Sequence, residues 1–370
     1  MKINPATQIA SPDTFARLDA FDCIIDVRSP AEFADDHIPG AINCPVLDDQ
    51  QRIEVGTLYK QVSPFEAKKI GAALVAENIA RHLKQSFLGQ AKDWRPLIYC
   101  WRGGQRSGAM TTVFRQIGWN AKQLEGGYKA YRRYVVDELS RLPGDYRYWI
   151  VKGATGSAKT RILHAMAEQG AQVVDLEALA GHKGSVFGLV PETTQPSQKT
   201  FETTLFFGLK NLDPGRPVFI EAESRKIGSI HIPERLIESM RASPCLTIDA
   251  PRAVRVDYLL RDYAYFTQQT DYVLQRLDTL KQFCGEKTVQ KWRTLVLDQH
   301  WPDFVDALLA DHYDPLYEKS QKTNYGADDR DELRVPAPRL DEDAIVEIAA
   351  AALAAAEERD RQPSLAGSPA

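Results

Sequence analysis

One stretch constrains the fold more than any other. Gly153-Ala-Thr-Gly-Ser-Ala-Lys159-Thr160 is entered from the apolar run Tyr148-Trp-Ile-Val151 and left through Arg161-Ile-Leu-His-Ala-Met-Ala-Glu-Gln169. It nearly fits G-x4-G-K-[ST]. That pattern has physical content only between a strand and a helix, where backbone N–H groups and the helix N-terminus cradle phosphate. The order here meets that condition. Gly153, Thr155, Gly156, Ser157, Ala158, Lys159 and Thr160 are therefore the expected diphosphate-binding residues. Lys159 would neutralise a di- or triphosphate, and Thr160 would touch Mg2+. The departure is Ala158 where the pattern has glycine; alanine excludes positive φ more firmly.

The flanking sequence extends this unit into an α/β sheet. Val173-Val174 and Pro217-Val-Phe-Ile220 are further short apolar runs, each followed by polar residues. Asp175, His182, Lys183 and Ser185 follow the first, and Glu221, Glu223 and Arg225 end the second. Taken singly such clusters read as solvated loops. Placed after successive strands they converge on one crevice. The strand-end acid could hold Mg2+ through water, and no residue set is assigned as a fixed metal site.

At ~100–200 residues per domain, 370 residues suggest two domains. Upstream of the turn-forming Pro143-Gly144-Asp145, strand-like and helix-like runs also alternate. There Pro96-Leu-Ile-Tyr leads into Cys100-Trp-Arg102-Gly103-Gly104-Gln105-Arg106-Ser107. A loop between a strand end and a helix start forms an anion cradle and favours thiolate over thiol. Two glycines permit the backbone angles, and Arg102 and Arg106 add charge. Cys100 is thus the candidate nucleophile or chalcogen carrier. Cys23, Cys44, Cys245 and Cys284 lack such surroundings. An odd number of scattered cysteines without CxxC argues against a disulfide framework or zinc knuckle, and for a reduced, cytoplasmic setting. No apolar run approaches ~20 residues, so no membrane span is expected, and the N-terminus lacks the apolar core of a signal peptide.

The net charge of −4 excludes a polycation, so a nucleic-acid partner must meet a local basic face. Two tyrosine-rich stretches could supply it: Lys129, Arg132 and Arg133 among Tyr128, Tyr131 and Tyr134, and Arg252, Arg255 and Arg261 near Tyr258, Tyr263 and Tyr265. Exposed tyrosines there could stack on splayed bases. The competing reading of each is an ordinary solvated helix face.

Asp26-Val-Arg28-Ser-Pro-Ala-Glu32-Phe, His37-Ile-Pro39-Gly40-Ala41 and Leu124-Glu-Gly-Gly-Tyr128, with Cys100 between them, resemble the ordered signatures of rhodanese domains over residues 12–138. Cys100 to Arg106 is also the C-x5-R spacing of rhodanese-like phosphatases, and spacing alone does not separate the two chemistries. A rhodanese domain followed by a phosphate loop, together with Asp175–Gly188 and Glu221–Gly228, resembles the bacterial tRNA 2-selenouridine synthases from about residue 12 to about 330. The expected fold is α/β: a rhodanese-like domain with a parallel sheet (12–138), a P-loop NTPase-like domain (145–335), then an Ala-rich helix and disordered tail (336–370).

What that resemblance implies is specific. The substrate would be a tRNA anticodon loop carrying 2-thiouridine at the wobble position. A geranyl group from geranyl diphosphate would go onto the sulfur, and selenium from selenophosphate would then replace the S-geranyl group. Cys100 would carry selenium as a selenopersulfide, with Arg102, Gly103, Gly104, Gln105 and Arg106 around the anionic donor. No tightly bound cofactor is expected. A monomer, served by a selenophosphate-producing enzyme, is the expected working form. The alternatives are a rhodanese-type sulfurtransferase or phosphatase with an appended nucleotide-binding module, or a non-catalytic anion-binding regulator.

Overall fold

The structure is a computed structural model that describes residues 9–10, 12–182, 194–262, 264, 269–325 and 332–361. Lys183 and Ser185, Tyr263 and Tyr265, and the expected tail beyond Arg361 lie outside the described residues. The chain divides into two compact units, residues 1–139 with 196–206, and residues 140–195 with 207–370.

The first unit is built on β1 (Ile9–Ala10), β2 (Cys23–Asp26), β3 (Ala41–Asn43), β4 (Pro96–Tyr99) and β5 (Lys122–Leu124). They form a five-stranded sheet in the order β1-β5-β4-β2-β3, every pairing parallel. The helices are α1 (Pro30–Asp35), α2 (Asp49–Gln61), α3 (Pro64–His82), α4 (Gln105–Ile117) and α5 (Gly127–Leu139). Local chemistry explains their starts. Pro30 opens α1 behind Ser29 in a capping box with Glu32, and Ser63 Oγ accepts from Phe65 N at 3.2 Å ahead of Pro64. Helix α2 has no buried residue and hence no apolar stripe to signal it. Ile25, Val27, Ile98, Cys100, Met110 and Phe114 pack in the core between sheet and helices.

The second unit holds β6 (Tyr148–Lys152), α6 (Lys159–Glu168), β7 (Gln172–Val174), α7 (Leu176–Ala180) and β8 (Val218–Glu221). Between α7 and β8 runs α8 (Gln198–Lys210), whose residues up to Phe206 belong to the first unit. A small antiparallel pair, β9 (Lys226–Ile227) and β10 (Ile230–His231), precedes α9 (Glu234–Ala242) and β11 (Cys245–Asp249). Helices α10 (Arg252–Asp262), α11 (Thr270–Cys284), α12 (Glu286–Leu297), α13 (Trp301–Leu308) and α14 (Asp314–Tyr325) follow, then β12 (Glu332–Pro336) and α15 (Glu342–Arg361). The main sheet runs β12-β11-β6-β8-β7, again all parallel. Strand β6 is central, and the chain leaves it first to one side and later to the other, which makes its carboxyl end a switch point where ligands bind.

The Ala-rich C-terminal segment belongs to this unit's core. Ala349, Ala352 and Ala356 are buried with Ile162, Leu163 and Met166 of α6, small side chains that let two helices approach closely. A second core, Val273, Leu277, Val289, Trp292 and Phe304, holds α11, α12 and α13 together.

Candidate functional site

The phosphate loop turns off β6 at Gly153 and ends where Lys159 begins α6. Gly156 has φ +85° and Ala158 φ +57°. Ala158 thus takes the left-handed angle that its side chain was expected to resist, at a cost of about 1–2 kcal/mol relative to the right-handed region. Gly156 admits no side chain for a second reason: a Cβ there would press on Leu259 and the Arg255 carbonyl. Lys159 Nζ donates to Gly153 O at 2.8 Å, folding its ammonium back over the loop. Thr160 Oγ1 donates to Glu221 Oε1 at 2.6 Å, and Glu177 Oε2 stands 3.4 Å from the same hydroxyl.

All seven expected loop residues line one cavity of about 710 Å3, together with Asp175, Glu177, His182 and Glu223. Tyr258, Leu259, Tyr313, Leu316 and Tyr317 line the same cavity. The acids are strongly perturbed. Burial raises Glu177 and Glu221 above the ordinary carboxylate range, and neighbouring carboxylates raise them further; Lys159 and Thr160 oppose this. Glu223 is pushed to about 7 by burial and by Glu221. Glu221 Oε2 is buried without a hydrogen-bond partner. An orphaned carboxylate oxygen amid like charges is a fit place for a cation. Among the described residues no three His, Cys, Asp or Glu side chains form a ready cage. Mg2+ suits this pattern, since it is usually held by one or two carboxylates together with substrate phosphates.

Other expected residues fall differently. Asp175 Oδ1 caps α7 through Ala178 N at 2.7 Å, and its Oδ2 meets His164 Nε2 at 2.6 Å. His182 reaches the cavity, with Nδ1 buried and unpartnered and its pKa lowered by burial. Arg225 does not line the cavity; it pairs on the exposed side with Glu234. His164 was missed in the sequence, although it follows Thr160 by four residues and so shares its helix face.

In the first unit, Cys100 is buried directly after β4, and Gly104, at φ +75°, starts α4. Ser107 Oγ donates to Cys100 Sγ at 3.3 Å. The loop is anchored from behind: Tyr128 N donates to Cys100 O at 2.8 Å and Lys129 N to Trp101 O at 2.9 Å. Gly127 makes this approach, with φ +57° and no room for a Cβ against Cys100 O. Arg106 is paired with Glu32 at 2.7 Å, so part of its charge is compensated within the loop's own surroundings. The signature residues Asp26 and Arg28 form a buried pair at 2.6 Å, with Arg28 lying 3.8 Å from the Tyr128 ring centroid. Arg28 also donates to Asp36 O at 2.6 Å, which ties the end of β2 to the segment after α1.

The expected tRNA face needs correction. Tyr128, Tyr131 and Tyr258 are buried and cannot stack on bases. Tyr128, Tyr131 and Val135 follow helical spacing and form the core-facing stripe of α5. Arg132 is held by Glu202, and Arg255, 5% exposed, pairs with Asp314 at 2.9 Å while donating to Thr155 O at 3.0 Å. Arg255 therefore braces the phosphate loop. Lys129 and Arg133 remain exposed, as does Arg252, which pairs with Asp306. No helix among the described residues is long and apolar enough to cross a membrane.

Residues 146–284 match the family model described as the tRNA 2-selenouridine synthase AAA domain, and residues 11–134 match the Rhodanese-like domain. A tRNA 2-selenouridine synthase of Marinobacter nauticus is 33% identical over 324 residues, covering 80% of this chain and 87% of that protein. One from Alcanivorax borkumensis is 33% identical over 327 residues, covering 80% and 88%. One from Nitrosomonas europaea is 36% identical over 248 residues, covering 66% of this chain and 64% of that protein. With both characteristic loops present and both domain models matched in order, the chain belongs to the tRNA 2-selenouridine synthase family.

Proposed function

We propose that the protein converts wobble 2-thiouridine of tRNA to 2-selenouridine by geranylation and then selenium exchange. The observation that carries the reading is the cavity itself: the phosphate loop with Lys159 and Thr160 shares one space with the side chains of Tyr258, Leu259, Tyr313, Leu316 and Tyr317. Such a space suits a diphosphate ester of a hydrocarbon. In the first step the 2-thio sulfur attacks C1 of geranyl diphosphate. The S–C bond forms as the C–O bond breaks, and diphosphate leaves into the loop. Backbone N–H groups and Lys159, released from Gly153 O, stabilise its charge. Mg2+, when bound, neutralises further diphosphate charge, with the Thr160 hydroxyl and Glu221 as the residues to hold it.

In the second step the selenium of selenophosphate attacks C2 of the S-geranyl base: the C–Se bond forms as the C–S bond breaks, geranyl thiolate leaves, and water cleaves the P–Se bond to release phosphate. The Cys100 loop, with Arg102 and Arg106, receives the anionic donor and holds its selenium beside Cys100. Nucleoside analysis by mass spectrometry tests the division of labour. Cys100→Ser should lose 2-selenouridine and accumulate S-geranyl-2-thiouridine; Lys159→Ala should lose both. Intact geranylation in Lys159→Ala would overturn the assignment of the phosphate loop. Rapid phosphoester hydrolysis with unchanged tRNA would favour the phosphatase reading.

A further inference from the structure

We propose that Gln123, on β5, is a positioning residue that aims the Ser107 hydroxyl at the Cys100 sulfur. This rests on Cys100 being the working thiol, as above. Gln123 Nε2 donates to Ser107 Oγ at 3.0 Å and to Gly104 O at 2.9 Å. A serine hydroxyl has one hydrogen and two acceptor lone pairs. Once Gln123 donates to the oxygen, the single hydrogen must point elsewhere. Two acceptors are in reach: Gly104 O at 3.4 Å and Cys100 Sγ at 3.3 Å. Gly104 O already accepts from Gln123 and from Gly108 N at 2.6 Å. The sulfur is the acceptor left over, and a thiolate accepts more strongly than a thiol.

The sequence supports the arrangement at a second point. Glycine is favoured at 104 because φ +75° strains any other residue and a Cβ there would push the Gln123 amide out of place. Helix α4 therefore starts with an opening through which β5 reaches the loop. Charged groups on the surrounding elements include Arg102, the Arg106–Glu32 pair, the Asp26–Arg28 pair, Asp36 beneath Tyr128, Arg115 on α4, Lys122 on β5, and Glu125 and Lys129 at the turn into α5. None of these is altered by substituting Gln123.

The test is the pH profile of Cys100 alkylation by iodoacetamide, read at the Cys100 peptide by mass spectrometry in the full-length protein. Gln123→Met keeps the side-chain length and removes the N–H donors; Gln123→Leu serves if that variant melts below the assay temperature. Ser107→Ala and the double variant complete a cycle. Ser107→Ala and Gln123→Met should each move the profile upward by about one pH unit, a roughly tenfold loss of reactivity at neutral pH. The double variant should move no further than Ser107→Ala. A Gln123→Met profile like that of the unmodified protein, or additive shifts in the double variant, would overturn the proposal. Because alkylation needs neither tRNA nor a selenium donor, a shifted profile with full 2-selenouridine formation by Cys100→Ser would sink the role of Cys100 and leave the relay standing.

Discussion

Thr160 Oγ1 and Glu221 Oε1 are joined by a 2.6 Å hydrogen bond that ties the first turn of α6 to the end of β8. The hydroxyl expected to meet a metal ion is thus held by the carboxylate expected to share it. The other oxygen of that carboxylate is buried without a partner. The loop is organised for a charge that a bound substrate or ion must bring.

That arrangement has a pH signature. Glu177, Glu221 and Glu223 all titrate above their ordinary value of 4.5 in the folded chain. The folded state therefore binds more protons than the unfolded state between about pH 4.5 and 8, and stability falls as pH rises through that window. Glu221→Gln should remove part of the slope. It should be more stable than the unmodified protein by about 2 kcal/mol at pH 8 and scarcely different at pH 5. Chemical denaturation at both pH values checks this; parallel pH dependences would refute it.

Ala158 holds φ +57° with a side chain that disfavours it. Ala158→Gly should gain about 0.5–1 kcal/mol, the relieved strain exceeding the added chain entropy of glycine. A lowered denaturation midpoint in the absence of phosphate would contradict this account of the loop.

Two glycines at positive φ should respond unequally to alanine. At Gly127 a Cβ collides with Cys100 O, whereas at Gly118, φ +111°, nothing lies within 4 Å. Gly118→Ala should cost about 1 kcal/mol, from backbone strain alone. Gly127→Ala should cost more than about 2 kcal/mol and displace the Cys100 loop, seen as altered alkylation of Cys100. Equal costs would show that the Tyr128–Cys100 clamp is unimportant.

Arg255 and Arg252 lie on one helix, and only the first is buried. Arg255→Ala strands Asp314 and frees Thr155 O, with an expected loss of about 2–4 kcal/mol and weaker pyrophosphate binding. Arg252→Ala, which breaks an exposed pair, should change stability by less than about 1 kcal/mol. Calorimetry with pyrophosphate and denaturation of both variants separate the roles.

The two loops were legible in the sequence because each is a contiguous stretch whose glycines and charges act on their own backbone. Cys100 with its neighbours, and Gly153 through Thr160, needed no distant partner to be seen. What was hidden was assembled across the chain. Glu32 compensates Arg106 from 74 residues away, and Arg255 reaches Thr155 across 100. Gln123 stands in a short strand with no signal beyond an amide side chain. The interleaved tyrosines and arginines of α5 misled for a different reason: composition suggested a binding face, while the spacing of Tyr128, Tyr131 and Val135 marked a core face. The same holds for the C-terminal segment, where alanine richness signalled a helix and not that the sheet would use it.

Residues 196–206 have a practical consequence. They supply Thr203 and Glu202 to the first unit, where Thr203 Oγ1 lies 3.2 Å from Asp36 Oδ2 and Glu202 holds Arg132. Cutting the gene after residue 139 would leave Asp36 and Arg132 deprived of those partners, and cutting before residue 140 would leave the second unit interrupted by an orphan segment. The chain is interleaved like two hands sharing a finger, so neither half can be exchanged between proteins as one uninterrupted cassette.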